Sequence, residues 1–425
     1  MVLVEFFEKD SVENICSSLT NAADIVYMVG SNIKIMRAFA ERYKTVFDGR
    51  GIHIEIRLMS YNKNSIESII NVLTGIIEEN EEVTFDLTGG DDLSLVAAGM
   101  VYERYKSRNI QMHRFNLLPK TIIDVDMDGE TIVSGDTPQL TVDELIKIYG
   151  GDVIYDEVRD NTTYRWDMNE EFKQDIRTMW SICSENTGLW NTQTTLLAYA
   201  EKTNGDEDLL TVSVQTSVLN SIVAHNNGGY CRITVAFFHE LLKAGLLTSY
   251  TINNDVFSVT YKNHQVKYCL TMAGLILEMK VFLTALELKE KDGKPVYNDV
   301  MNGVIIDWDG NIHPDHEEYD TENEIDVIIM HGMVPIFVSC KNGYIEKEEL
   351  YKLNAVAERF GGKYAKKVLV ASALEDNDYG NYIRQRAQDM GIRIVEGQSK
   401  GSKYKDLTYL SDDEWNKIVR SLWLN

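Results

Sequence analysis

An acidic side chain inside an apolar run, and a lysine at the end of the next run, are the two features of this sequence that most require a chemical explanation. Asp326 lies in NEIDVIIM at the start of an otherwise apolar strand, where burying a carboxylate is costly unless it meets a cation, so a metal ligand is the natural reading. Glu324, two residues earlier, points to the same face of that strand. Lys341 ends PIFVSCK and precedes Asn342-Gly343. Taken alone, a lysine at a strand end is ordinarily solvated. A hairpin turning near His331-Gly332 brings its end against the acidic end of the other strand. An ammonium beside a metal-bound water can orient a nucleophile or offset charge on a pentavalent phosphorane, so the pair points to phosphodiester hydrolysis. Upstream, Leu275, Met279, Phe282 and Leu286 make an apolar helical stripe with Glu278 at its edge, a place usually taken by a snorkelling surface carboxylate.

The elements that must position these groups follow from position 266 onward. A helix at 272–290, strands near 300–308, 324–330 and 334–340, a helix at 346–360, a strand at 367–373, another helix and a strand at 392–396 are predicted. This α-β-β-β-α-β order, with Glu278, Asp326 and Lys341 at its motif positions, resembles the PD-(D/E)xK nuclease core. The resemblance implies a catalytic set of Lys341, Asp326 and Glu278. It also implies a metal, Mg²⁺ or Mn²⁺, held by Glu278, Asp326, Glu324 and the backbone carbonyl of Cys340, whose thiol is a core group. Ser339 departs from the pattern, which has an acidic residue there, and a hydroxyl is a weaker ligand for a hard cation. Lys363, Lys366, Lys367, Arg384 and Arg386 read either as phosphate contacts or as solvated charge. His313 and His316 lack further ligands at zinc spacing and read as loop.

The first 118 residues alternate strand-like runs at 2–7, 24–29, 52–58, 83–87 and 110–117 with amphipathic helices, implying a parallel sheet covered on both faces. One of these helices is expected to bury Leu93, Val96, Ala97 and Met100. Ligands of such folds bind beyond the carboxyl ends of the strands, which directs attention to three loops: Lys9, Asp10 and Ser11; Gly30, Ser31 and Asn32; and Thr88, Gly89, Gly90 and Asp91. The paired glycines let backbone N–H groups approach an anion at a helix N-terminus. The plainer readings are that Ser11 and Asp92 are N-caps and Gly89-Gly90 a tight turn. The DLTGG segment at 86–90, after the fourth strand of a five-stranded Rossmann-like unit, resembles the CARF domain, the CRISPR-associated Rossmann fold that senses cyclic oligoadenylates. That resemblance implies a homodimer with the ring on its axis and cyclic tetra-adenylate as activator. Asp91 and Asp92 stand where relatives usually carry Thr-Lys.

Between the halves, 121–133 is a hairpin around Asp128-Gly129 and 141–149 a short helix closing the first domain. Residues 151–265 read as a connector, with a helix ended by Gly245 and a small β-meander, or else as a winged helix; the connector is favoured. The fold class is α/β: a sensor at 1–150, this connector, and a restriction-endonuclease-like domain at 266–425.

Composition sets outer limits. With 425 residues, 44% hydrophobic and 5 Pro, the chain should fold throughout as several domains. Five dispersed cysteines without a CxxC pair argue against a zinc knuckle or a disulfide framework and fit a reducing cytoplasm. No apolar run approaches the roughly 18 residues of a membrane span, so no membrane partner is expected. The net charge of −24 is unusual for an enzyme acting on nucleic acid, but carboxylates gathered around divalent metals account for part of it. The expected activity is metal-dependent cleavage of DNA, with RNA a second candidate. The rival is a non-catalytic sensor that regulates transcription. A third possibility is cleavage of the ring by the sensor, through Ser11 and Thr88.

Overall fold

The computed structural model describes the chain except residues 21–22, 119, 134–136, 156–160, 205–207, 228–231, 273, 312–320, 344, 373, 401–402 and 425, and describes 222–227, 398–400 and 403–405 by backbone only. Cys231 and the His313/His316 pair fall outside the described residues. The other four cysteines, Cys16, Cys183, Cys269 and Cys340, are buried and free.

The N-terminal domain runs β1 (Val2–Phe6), a 3-10 turn (Ser11–Asn14), α1 (Cys16–Thr20), β2 (Ile25–Gly30), α2 (Ile33–Gly49), β3 (Glu55–Ser60), α3 (Ile66–Glu79), β4 (Glu82–Asp86), α4 (Asp92–Arg104) and β5 (Asn109–Asn116). The hairpin β6 (Thr121–Val125) and β7 (Glu130–Val133) and the helix α5 (Val142–Ile148) complete it. Its sheet has the order β3-β2-β1-β4-β5-β6-β7, with the first five strands parallel. The order reverses at β1, so the loops after β1 and β4 part company there and open the crevice in which such sheets bind ligands.

One expectation fails on α4. Leu93, Val96 and Met100 face solvent at 38%, 52% and 47% exposure, while Ser94, Ala97, Ala98 and Val101 are the buried face. The helix has two candidate faces, and the small one wins because it allows the close approach to the sheet that bulky side chains would prevent. The large stripe is left open.

The middle segment opens with the two-residue strand β8 (Asp152–Val153), which pairs with the C-terminal sheet. Then follow α6 (Glu170–Glu185), α7 (Thr187–Asn204), β9 (Thr211–Gln215), α8 (Thr216–Asn227), α9 (Val235–Lys243), β10 (Leu247–Ile252), β11 (Val256–Tyr261) and α10 (His264–Thr271). The predicted meander gains β9 as a third strand, in the order β10-β11-β9. A helix–strand–helix–helix–hairpin series whose first strand pairs with its last gives 187–261 the element order of the winged-helix reading.

The C-terminal domain contains α11 (Leu275–Glu287), β12 (Asp299–Asp307), β13 (Glu322–His331), β14 (Val334–Lys341), α12 (Lys347–Gly361), β15 (Lys366–Ala371), α13 (Asp378–Asp389), β16 (Ile392–Glu396) and α14 (Asp412–Arg420). Its sheet order is β16-β15-β14-β13-β12-β8, with β14, β15 and β16 parallel and the rest antiparallel. Alternation along β13 and β14 builds two cores at once. Val327, Ile329, Ile336 and Val338 pack with α6, α11, α14 and the winged-helix segment. Ile328, Met330 and Phe337 pack with α12, α13 and the N-terminal domain's α2 and α5.

The N-terminal and C-terminal domains therefore share a core, and a polar seam lies beside it. Asp10 accepts hydrogen bonds from the Tyr149 hydroxyl at 2.7 Å and the Lys363 amide at 2.9 Å. Glu13 accepts from Lys363 Nζ at 2.8 Å and from the Tyr364 hydroxyl. Gly362 permits this closeness: its φ is +56°, and a Cβ there would collide with the Asp10 carboxylate.

At the far end of β13, His331 is buried, stacked on Trp423 at 4.4 Å and edge-on to Tyr297. Burial, with the Lys120 ammonium adding to it, pushes its pKa down from 6.5 to about 4. Between those two values the unfolded chain binds a proton that the native imidazole refuses, so stability present above pH 6.5 is lost as pH falls. His331→Phe, which keeps the stack, is expected to be more acid-tolerant than the parent by about 2 kcal/mol at pH 5. Chemical denaturation at pH 7 and pH 5 checks this.

Candidate active site

Asp326 sits in the middle of β13, not at its start, because the ladder to β12 continues through Glu322 and Glu324 beyond the apolar run. Its carboxylate is set by backbone geometry. Oδ2 accepts the Cys340 amide at 2.6 Å and the Ser339 hydroxyl at 3.2 Å from the neighbouring strand β14. Lys341, the last residue of β14, places Nζ 3.8 Å from that oxygen and 3.0 Å from Oε2 of Glu349 in the first turn of α12. The carboxylate and the ammonium that the hairpin was expected to bring together do share one cleft. Glu324, Asp326, Ser339, Glu349 and Lys352 line it.

Glu278 approaches from the first turn of α11 and accepts a long hydrogen bond, 3.4 Å, from Asn302 Nδ2. Burial, then the charges of Asp326 and Glu324, hold its carboxyl well above the usual range, with Lys341 and Asn302 opposing. Glu324 lies at the solvent rim, yet its carboxyl is also raised, by burial first and Asp326 second, against Lys352 and Lys341. For Lys341, burial works to discharge the ammonium, but Asp326, Glu349 and Glu278 outweigh it and the pKa rises. The site thus concentrates more carboxylate than it can neutralise with its own cations, and a divalent ion suits that donor set.

Among the described residues, no three His, Cys, Asp or Glu side chains converge closely enough to hold a metal directly. The expected ligands Glu278, Asp326 and Glu324 therefore surround one cleft without closing a coordination shell. The Cys340 thiol is buried in the core and pushed up by that burial, so only its backbone remains a candidate donor.

Sequence reasoning overlooked three residues here: Glu349, Lys352 and Asn302. Glu349 hides in the charged stretch EKEEL, where nothing separates it from its solvated neighbours. Asn302 is 3% exposed in the middle of β12, and a buried amide mid-strand is a usable signal. Its Nδ2 also donates to the Asp326 carbonyl at 2.9 Å, and its Oδ1 accepts from Trp166 Nε1 at 3.1 Å.

Four of the five basic residues near 363–386 are engaged with other groups of the chain. Lys363 pairs with Glu13. Lys367 donates to Asn354 and to the Met390 carbonyl, Arg384 holds Glu396, and Arg386 lies over Tyr351 and Tyr382.

The three N-terminal loops singled out in the sequence meet at the carboxyl ends of β1, β2 and β4, but their residues divide. Lys9, Ser31, Asn32 and Asp91 are exposed. Asp10 and Ser11 are buried at the seam, so neither is free to meet a ligand in this conformation, and Ser11 does not cap. Asp91, not Asp92, is the N-cap of α4, accepting from the Ser94 amide at 2.8 Å. Asn32 caps α2 through the amides of Lys34 and Ile35. Thr88 accepts the Phe115 amide and donates to Asp86.

The glycines have a packing reason of their own. A Cβ at Gly89 would lie 2.8 Å from the Phe6 carbonyl oxygen, Gly30 is closed in by Phe7 and Met36, and Gly90 adopts φ +102°. Beneath these loops the register sets Glu5, Asp86 and His113 side by side on β1, β4 and β5. Burial, then Asp86, holds the Glu5 carboxyl well above its usual range. Polar residues within three neighbouring strands, two of them near the strands' carboxyl ends, were readable in the sequence and went unread.

Residues 272–413 match the family model of the Card1-like endonuclease domain. The fold of the whole chain resembles protein VC1899 from Vibrio cholerae, at TM-score 0.71 and 17% identity over 100% of this chain and 97% of that one. It also resembles Can2 from Sulfobacillus thermosulfidooxidans, solved in complex with cyclic tetra-adenylate, at TM-score 0.59 and 14% identity over 93% of each chain. No protein of curated function is significantly similar in sequence.

Asn302→Ala removes three hydrogen bonds and leaves the Trp166 indole without its acceptor; a loss of about 1–3 kcal/mol is expected, measured by denaturant unfolding. Residues 272–413, the segment similar to the Card1-like endonuclease domain, bring Asp326 and Lys341 together in one cleft.

Proposed function

We propose that this chain is a metal-dependent nuclease gated by a cyclic oligoadenylate, with cyclic tetra-adenylate as the activator to test first. The single observation that carries the reading is the 3.8 Å approach of Lys341 to Asp326 in a carboxylate-rich cleft of an endonuclease-type core. The likeness to Can2, which was solved with that ring bound, supports the choice of activator.

Asp326, Glu278, Glu324 and the Cys340 carbonyl would hold Mg²⁺ or Mn²⁺, in part through water, since their side chains do not close a shell by themselves. The ion, when bound, would polarise the phosphate and supply an acidified water. The chain's own groups do the rest. Lys341, kept charged by the surrounding carboxylates, offsets the negative charge that develops on the phosphate oxygens. The Cys340 amide and Ser339 hydroxyl fix the Asp326 carboxylate in plane. DNA is the first substrate to assay and RNA the second.

In the sensor, Lys9, Gly30, Ser31, Asn32, Thr88, Gly89, Gly90 and Asp91 remain the proposed ligand surface; Asp10 and Ser11 leave it for the seam. The sensor is proposed to dimerise, and the exposed stripe of Leu93, Val96 and Met100 supports that, because an uncovered apolar helix face costs solubility unless a second copy buries it. A double change, Val96→Glu with Met100→Glu, is expected to shift the protein to monomer in sedimentation analysis. A dimer of undiminished affinity would contradict this interface.

A second reading, a sensor whose nuclease-like domain is inert, draws on Ser339 and on the winged-helix order of 187–261. Against it, α9 (VAFFHELLK) carries one lysine and no cationic row for phosphate. Plasmid nicking with Mn²⁺, with and without cyclic tetra-adenylate, separates the two. Ring-dependent nicking is expected, abolished by Lys341→Ala or Asp326→Ala with ring binding intact, and reduced only about tenfold by Ser339→Ala. A Lys341→Ala protein that nicks like the parent removes the site assignment.

A further inference from the structure

The nearest partner of Lys341 is not the carboxylate with which its strand hairpin aligns it. Nζ lies 3.0 Å from Oε2 of Glu349, against 3.8 Å to Asp326. We propose that Glu349 is a positioning residue for the nuclease reaction: it anchors the Lys341 ammonium from the first turn of α12, supplying the negative charge that Ser339 cannot. This inference rests on Lys341 being the catalytic cation.

Three observations carry it. First, α12 begins with Lys347, Glu348 and Glu349 in succession, and of these only Glu349 turns from solvent into the cleft beside Asp326 and Glu324. Second, the turn that presents it is rigid, because Leu350 and Leu353 directly behind are buried in the core under the sheet. Third, the strand position two residues before Lys341 holds a hydroxyl already engaged with Asp326, so β14 itself offers the ammonium no charge. A flexible four-carbon side chain held by one carboxylate at 3.8 Å would sample several rotamers. A second carboxylate on a different element restricts it to the geometry in which its N–H groups face the cleft.

The test uses the full-length protein with Mn²⁺ and saturating cyclic tetra-adenylate, comparing Glu349→Gln, Glu349→Ala and Glu349→Asp with the parent and Lys341→Ala. A misplaced catalytic group costs up to about 100-fold, so Glu349→Gln and Glu349→Ala are expected to lower kcat by roughly 10- to 100-fold with KM within about threefold. Glu349→Asp is expected to recover part of the loss, which a helix-stability effect alone would not do. The near-isosteric Glu349→Gln leaves the helix intact, and its thermal midpoint is measured alongside.

Parent-like kcat in both Glu349→Gln and Glu349→Ala would overturn the inference. So would ring-independent nicking by either, which would make the Glu349 contact a clamp that withholds Lys341. If Lys341→Ala is dead while the Glu349 variants are unaffected, only this inference fails; if Lys341→Ala still nicks, the reading of the site fails with it.

Discussion

The C-terminal cleft is organised by the crowding of like charges around one ammonium. Glu278, Glu324, Asp326 and Glu349 come from three elements, α11, β13 and α12, and Lys341 is the cation they have in common. Burial and mutual repulsion raise the Glu278 and Glu324 carboxyls. No apolar core needs such an arrangement, and the cost in stability is one that functional sites commonly carry. A divalent ion bound there, as proposed, would relieve it.

The N-terminal domain is joined to that cleft through α12. The helix has 15 residues and is about 22 Å long. Its first turn holds Glu349 against Lys341, and its last residues lead into Gly362, Lys363 and Tyr364, which are bound by Asp10 and Glu13 of the N-terminal domain. Asp10 follows directly on Lys9, at the carboxyl end of β1 where the sheet order reverses. A ligand that drew this loop outward would pull on the far end of α12 through a buried polar seam. Such a ligand shifts the equilibrium only by the difference between its affinities for the two arrangements.

Much of this was legible in the sequence, for identifiable reasons. The strands of the sensor and the α-β-β-β-α-β order were readable because hydrophobic periodicity is strong in buried parallel strands and amphipathic helices. Asp326 and Lys341 were readable because each violates its local pattern. Glu349 was not, since a carboxylate in a charged helix start is ordinary until a neighbouring strand gives it a partner. On α4 two faces competed and periodicity cannot weigh small against large. Asp10 looked like a ligand-loop residue because its partners, Tyr149 and Lys363, lie 139 and 353 residues away.

Whether the cleft holds an ion is the point on which the account turns, and anomalous diffraction from crystals grown with Mn²⁺ and cyclic tetra-adenylate addresses it most directly. The account requires a manganese peak within coordinating distance, about 2.2 Å, of the Asp326 carboxylate and beside the Cys340 carbonyl. Manganese bound elsewhere, with the space between Asp326 and Lys341 empty at saturating metal, would contradict it.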